Sequence, residues 1–261
     1  MACFVLIFLL PPAIFAQESN DEKHQVFLIG NTGNFDPNDP HIQLLRSKLN
    51  TSDKHSSLIF LGDLVAPAGM PGVDHKKRSL AEKQIKEQLL LGDSFKGDMY
   101  VIPGDRDWDK GRPDGWSKIR YMDDYIEEYL DDEEVFFPKQ GHPGPVEIKL
   151  EKDIYLIVFD MQWMLHRWDK SLQDHPLEFH NTLDVLVEID DMLEKHRNHH
   201  VILASHHPIY SDGPFGGQFS IKHHLFPTTE IISSLYLPLP CLLYTSPSPR
   251  DQRGSRMPSS A

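Results

Sequence analysis

Five short apolar runs constrain this chain more than any other feature: QVFLIG (25–30), SLIFLG (57–62), MYVIPG (99–104), IYLIVFD (154–160) and HVILAS (200–205). Runs this short and this apolar predict strands buried on both faces. Helical patterns separate them. Residues 79–91 place Ala81, Ile85 and Leu89 on one face, with Ser79 as the expected N-cap. Residues 116–130 carry Ile119, Met122, Ile126 and Leu130 at helical spacing, and 177–193 do the same with Leu183, Leu186 and Ile189. VEIKL (146–150) alternates instead, which predicts a half-exposed antiparallel strand. Strand and helix in succession predict an α/β architecture with helices on both faces of a sheet.

The length of 261 residues allows one substantial core or two small ones. A formal charge of -13 repels polyanions and argues against a nucleic-acid partner. A small phosphorylated substrate stays open, because bound cations reverse the local field. The two cysteines, Cys3 and Cys241, leave the body between them without a thiol, which removes a thiol nucleophile and a Cys-zinc site from that body. MACFVLIFLLPPAIFAQ predicts an export signal over residues 1–16. It is too short to span a bilayer in the mature chain, and the expected location is periplasmic, cell-envelope or secreted. Residues 241–261, rich in Ser, Pro and Arg, read as a non-native tail, leaving 24–240 as the folded domain. Nothing in the sequence speaks to oligomeric state.

The chemistry gathers at the ends of the runs: GNTGN (30–34), GDLVAPAG (62–69), GDRDW (104–108) and SHHPIYSDGPFGG (205–217). Ligands of open α/β sheets collect where strands end, and glycine lets the backbone turn close to them. Asn31, Asp63, Asp105 and His206 follow at these tips. Oxygen and imidazole ligands converging from separate strands suit one or two divalent metals.

This order of tips resembles the calcineurin-like metallophosphoesterase superfamily over roughly residues 25–240. A bacterial branch related to the purple acid phosphatases is closer, through PGDRDW, QWMLHRW (162–168), HHPIYSDGPFGG and LYLPLP (235–240). The resemblance implies a four-layer sandwich of two mixed β-sheets flanked by helices. It also implies hydrolysis of phosphate mono- or diesters by a metal-activated hydroxide at a two-metal centre. By position, Asp63 matches the bridging carboxylate and His206 a ligand of the second metal. Asp105 stands where the family has a ligating Asn, Asn31 where it has the first-metal Asp, and Arg106 where it has a catalytic His. Ala66 replaces the metal-binding Tyr of purple acid phosphatases, and His207 is expected to touch substrate or support the ligands. The family's closing Gly-His-x-His does not follow LYLPLP, so the chain reads as truncated before it; GHPG at 141–144 is no substitute.

These departures lead to an expectation of at most one tightly held metal, on Asp63, Asp105 and His206, with Fe, Mn, Zn, Ca and Mg not distinguished. Arg106 cannot serve as a proton donor near neutral pH. It is expected either to grip a phosphate oxygen, biasing activity toward activated esters, or to form an ion pair with Asp107 or Asp109. The rival reading is a catalytically inactive module of the same fold, used for binding or scaffolding. Trp163, His166 and Trp168 are expected in the core, and Asp131–Glu134 at a solvated helix end. His199, His200, His223 and His224 have no ligand spacing.

Overall fold

A computed structural model describes residues 24–168 and 181–208, and all structural statements concern these. The export signal, the helix pattern at 177–180, the SDGPFGG stretch, His223, His224, LYLPLP and the tail lie outside the described residues.

The chain runs β1 (Gln25–Ile29), α1 (Pro40–Thr51), β2 (Ser56–Phe60), α2 (Arg78–Leu89), β3 (Asp98–Val101) and α3 (Gly115–Leu130). It continues through β4 (Val146–Glu151), β5 (Ile154–Val158), α4 (Met161–Leu165), α5 (Thr182–Lys195) and β6 (His200–Ala204). The fold is α/β with two three-stranded sheets, ordered β1-β2-β3 and β4-β5-β6. The first sheet is wholly parallel among the described strands, with Leu28 opposite Ile59 and Ile59 opposite Tyr100. Only the second is mixed: β4 runs antiparallel to β5, and β6 parallel to it. Parallel neighbours need crossovers, and α1 and α2 supply them in the first sheet.

Strand alternation assigns the faces. Leu58 and Phe60 of β2 and Val101 of β3 join Ala81, Ile85 and Leu89 of α2 and Ile119, Met122 and Ile126 of α3 in one buried cluster. Ile59, Tyr100 and Ile102 point the other way, clustering with Leu150, Leu156, Val158 and Ala204 of the second sheet. The first sheet is therefore covered by helices on one face and by the second sheet on the other, not by helices on both.

Other expectations shift in detail. β2 is buried along its whole length, but β1 is an edge strand whose Leu28 is 56% exposed. Ser79 does not cap α2: the N-cap is Lys77, without a side-chain bond. In α5 the buried face is Val185 and Ile189, while Leu183 and Leu186 are exposed, and the real cap is Asn181, reciprocated by Asp184. Helix α1 was not read from the sequence, although Asp39 caps it and Pro40 opens it. Trp163 and His166 are buried as expected, but Trp168 is exposed. Asp131 to Glu134 are exposed beyond α3.

Candidate metal centre

Because β1, β2 and β3 are parallel, their C-terminal ends open on one side, and the loops after them meet there. Gly62 and Asp63 both take left-handed backbone, with φ of 88° and 63°. A Cβ at Gly62 would lie 2.4 Å from the Gly104 nitrogen, and one at Gly104 would lie 2.5 Å from Asp63 Oδ1. Glycine at both positions is what lets the tips of β2 and β3 pack backbone against backbone. Left-handed φ at Asp63 costs on the order of 1–3 kcal/mol and persists only where the surroundings over-determine it.

Asp107 provides that constraint. Fully buried, it accepts the Asp63 N–H on Oδ2 at 2.7 Å, the Gly104 N–H on the same oxygen at 2.9 Å, and the Val65 N–H on Oδ1 at 3.3 Å. One carboxylate thus clamps both tips, and burial pushes it up to about 7. A second brace runs to β5. Trp108 Nε1 donates to Asp160 Oδ2 at 2.6 Å, while Asp160 Oδ1 caps α4 through the N–H groups of Gln162 and Trp163.

On this frame Asp63, Asp105 and His206 come together, each offering a ligand atom within 4.8 Å of the others. His206 arrives from the end of β6 in the second sheet, and its Nδ1 is fixed by the Leu61 carbonyl oxygen at 2.6 Å. That bond turns Nε2 toward the acids, 3.7 Å from Asp63 Oδ1 and 3.4 Å from Asp105 Oδ1. Orientation of one ring nitrogen by a backbone carbonyl is the usual support of a ligating histidine. Asp63 is buried, the other two are half-buried, and the group could hold a metal ion. Burial raises the Asp63 carboxyl; the Arg106 N–H, His206 and the Arg106 guanidinium oppose that rise.

Arg106 pairs with neither Asp107 nor Asp109. Its backbone N–H donates to Asp63 Oδ1 at 2.9 Å and its Nε lies 3.3 Å from Asp63 Oδ2. Asp109 is instead held by Lys118 at 3.0 Å and Arg112 at 3.6 Å. Asn31 joins the tips through its backbone: it is exposed, left-handed at φ 61°, and its N–H donates to the Gly62 carbonyl at 3.1 Å. His207 is half-buried with its ring 5.1 Å from that of His206, and burial lowers its basicity. Ala66 lines a neighbouring pocket with Pro67 and Arg106.

Sequence reasoning missed Asp107 and Asp160 as the bracing acids. Asp160 had a signal, since an acid between an apolar strand and a helical run is an N-cap pattern. Asp107 had none, because an acid beside Arg106 reads first as its partner. No helix among the described residues is long and apolar enough to cross a membrane. Comparison with protein-family models, curated proteins and solved structures returns no match for this chain.

Proposed function

We propose that the chain is a phosphoesterase acting on small phosphate mono- or diesters with a single divalent ion held by Asp63, Asp105 and His206. The observation that carries this reading is the convergence of two carboxylates and an oriented imidazole from both sheets. The donor set, two carboxylate oxygens and one nitrogen, fits a divalent cation of intermediate hardness. Bound there, such an ion supplies Lewis-acid polarisation of a phosphoryl oxygen and lowers the pKa of water. The stacked sheets with helices outside them support a layered sandwich of the kind the sequence resemblance implies.

The chain's own residues divide the remaining work. Asp63 Oδ1 faces His206, while Oδ2 faces the Arg106 guanidinium. The cation of Arg106 therefore stands where a second metal would share that carboxylate, which supports one ion over two. With Nε directed at Asp63, the Arg106 terminal amino groups are left to bind phosphate oxygens of the substrate, which orients it and offsets its charge. Arg106 cannot deliver a proton to a leaving group, so esters with good leaving groups are favoured.

The same ion pair gives the inactive-module reading its one supporting observation, since Asp63 is partly neutralised without any metal. One experiment separates the two. After loading and dialysis, elemental analysis is expected to find one metal per chain, with metal-dependent release of nitrophenol from 4-nitrophenyl phosphate, both lost in Asp63→Ala. Two tightly held metals refute the single-ion centre. One metal without hydrolysis leaves the inactive module.

A further inference from the structure

Next to the acid–histidine trio lies a 330 Å³ pocket lined by Asn34, Ala66, Pro67, Arg106 and Lys110. Arg106 is common to the pocket and the trio's surroundings; Asp63, Asp105 and His206 do not line it. No acid lines it either. In a chain of formal charge -13, a pocket with two cations and no carboxylate runs against the overall field.

Lys110 is built into place by its backbone. Asp109 and Lys110 are consecutive left-handed residues, with φ of 52° and 55°. Consecutive non-glycine residues in that region are uncommon and cluster at functional sites. The Lys110 N–H donates to the Asp105 carbonyl at 2.7 Å, which ties the position of this turn to the trio. The adjacent acid, Asp109, is taken by Lys118 and Arg112, so the nearest carboxylate in sequence does not neutralise Lys110.

We propose that this pocket binds a second, non-reacting phosphate group, so that the preferred substrate is a small molecule carrying two phosphates. The assignment of that molecule as substrate rests on the phosphoesterase reading; the phosphate site itself does not. A phosphate, with more oxygens than a carboxylate, can meet Lys110 and the terminal amino groups of Arg106 together, with Asp63 already taking the Arg106 Nε. Arg106 offers a planar fork and Lys110 a point charge, the pairing that suits a tetrahedral oxyanion.

The site is tested on the metal-stripped chain, in which the acids of the trio repel phosphate. Calorimetric titration with inorganic phosphate at low ionic strength is expected to show one site. Lys110→Gln, which keeps side-chain length and removes one charge-assisted contact, is expected to weaken that site by about tenfold. Lys149→Gln, the same charge change on an exposed residue of β4, serves as control and is expected to titrate as the parent. With metal restored, the kcat/KM ratio of hydroquinone bisphosphate to 4-nitrophenyl phosphate is expected to fall by a similar factor in Lys110→Gln. The proposal is overturned if Lys110→Gln and Lys149→Gln bind phosphate alike, or if acetate competes as well as phosphate. Phosphate binding that depends on Lys110 in a chain without esterase activity keeps the pocket and removes the phosphoesterase reading. Esterase activity with phosphate binding indifferent to Lys110 does the reverse.

Discussion

Replacing Asp107 with alanine removes the one acceptor shared by the N–H groups of Asp63, Val65 and Gly104, all in buried residues. A buried donor left without a partner costs about 1–3 kcal/mol. Three such donors set an upper bound, and two effects reduce it. The carboxylate no longer has to be desolvated, and water entering the space left behind can bond some of the donors. A net loss of about 3–5 kcal/mol follows, in the lower part of the range of about 3–9 kcal/mol that three stranded donors would cost. For a domain of this size that corresponds to a fall in Tm of about 6–20 °C. Asp107→Asn keeps one carbonyl oxygen but turns an amino group toward a donor, so its loss is expected to be smaller, about 1–3 kcal/mol. Thermal and urea unfolding of the metal-free chain measure both variants. Because the clamp fixes Asp63 in its left-handed turn, metal affinity is also expected to drop about 10–100-fold in either variant. Unfolding of Asp107→Ala within about 1 kcal/mol of the parent, below the cost of even one stranded donor, would refute the clamp as the source of the turn's geometry.

Two further outcomes follow from single groups. Asp123 in α3 is buried, with Oδ2 accepting the Gln140 N–H at 2.5 Å and its Nε2 at 3.1 Å; burial, with Glu127 and Asp124 adding to it and Lys139 opposing, pushes it up to about 7. The folded state thus holds this proton more tightly than the unfolded chain does, so its stabilising contribution is complete below about pH 4 and is lost as pH rises through about 7. Asp123→Asn mimics the protonated form, and urea unfolding across that window is expected to show the variant gaining up to about 4 kcal/mol on the parent; parallel curves would refute it. Arg106→His introduces a group able to donate a proton, and steady-state assays are expected to show turnover of an alkyl phosphate rising by up to about 10²–10⁴ while 4-nitrophenyl phosphate gains far less. Equal effects on the two esters would refute the account of Arg106.

The strands were legible because their signal is local: an apolar run bounded by glycine needs no knowledge of its neighbours. Their ends also marked Asp63 and Asp105, after β2 and β3 of the parallel sheet, and His206, after β6 of the second sheet. What escaped the sequence depends on who packs where. Nothing in β1 itself says that it takes the sheet edge and exposes Leu28. In α5, leucines at 183 and 186 compete with Val185 and Ile189 for the inward face, and only the position of the helix on the second sheet decides between them. Arg106 had three nearby acids to choose from, and the choice of Asp63 rests on the fold of the Gly104–Gly111 turn. Asn31 reached the right tip, where its backbone N–H holds the neighbouring loop.

His206 is carried by one sheet and the two carboxylates by the other, so an ion gripping all of them acts as a rivet through the stack. Slippage of β6 against β2 must break the ion's coordination before it can grow. Free energy gained on loading such a site would then appear as mechanical resistance between the sheets, rising with metal concentration as mass action requires. Stripping such an ion would loosen the hold first where His206 meets the Leu61 carbonyl.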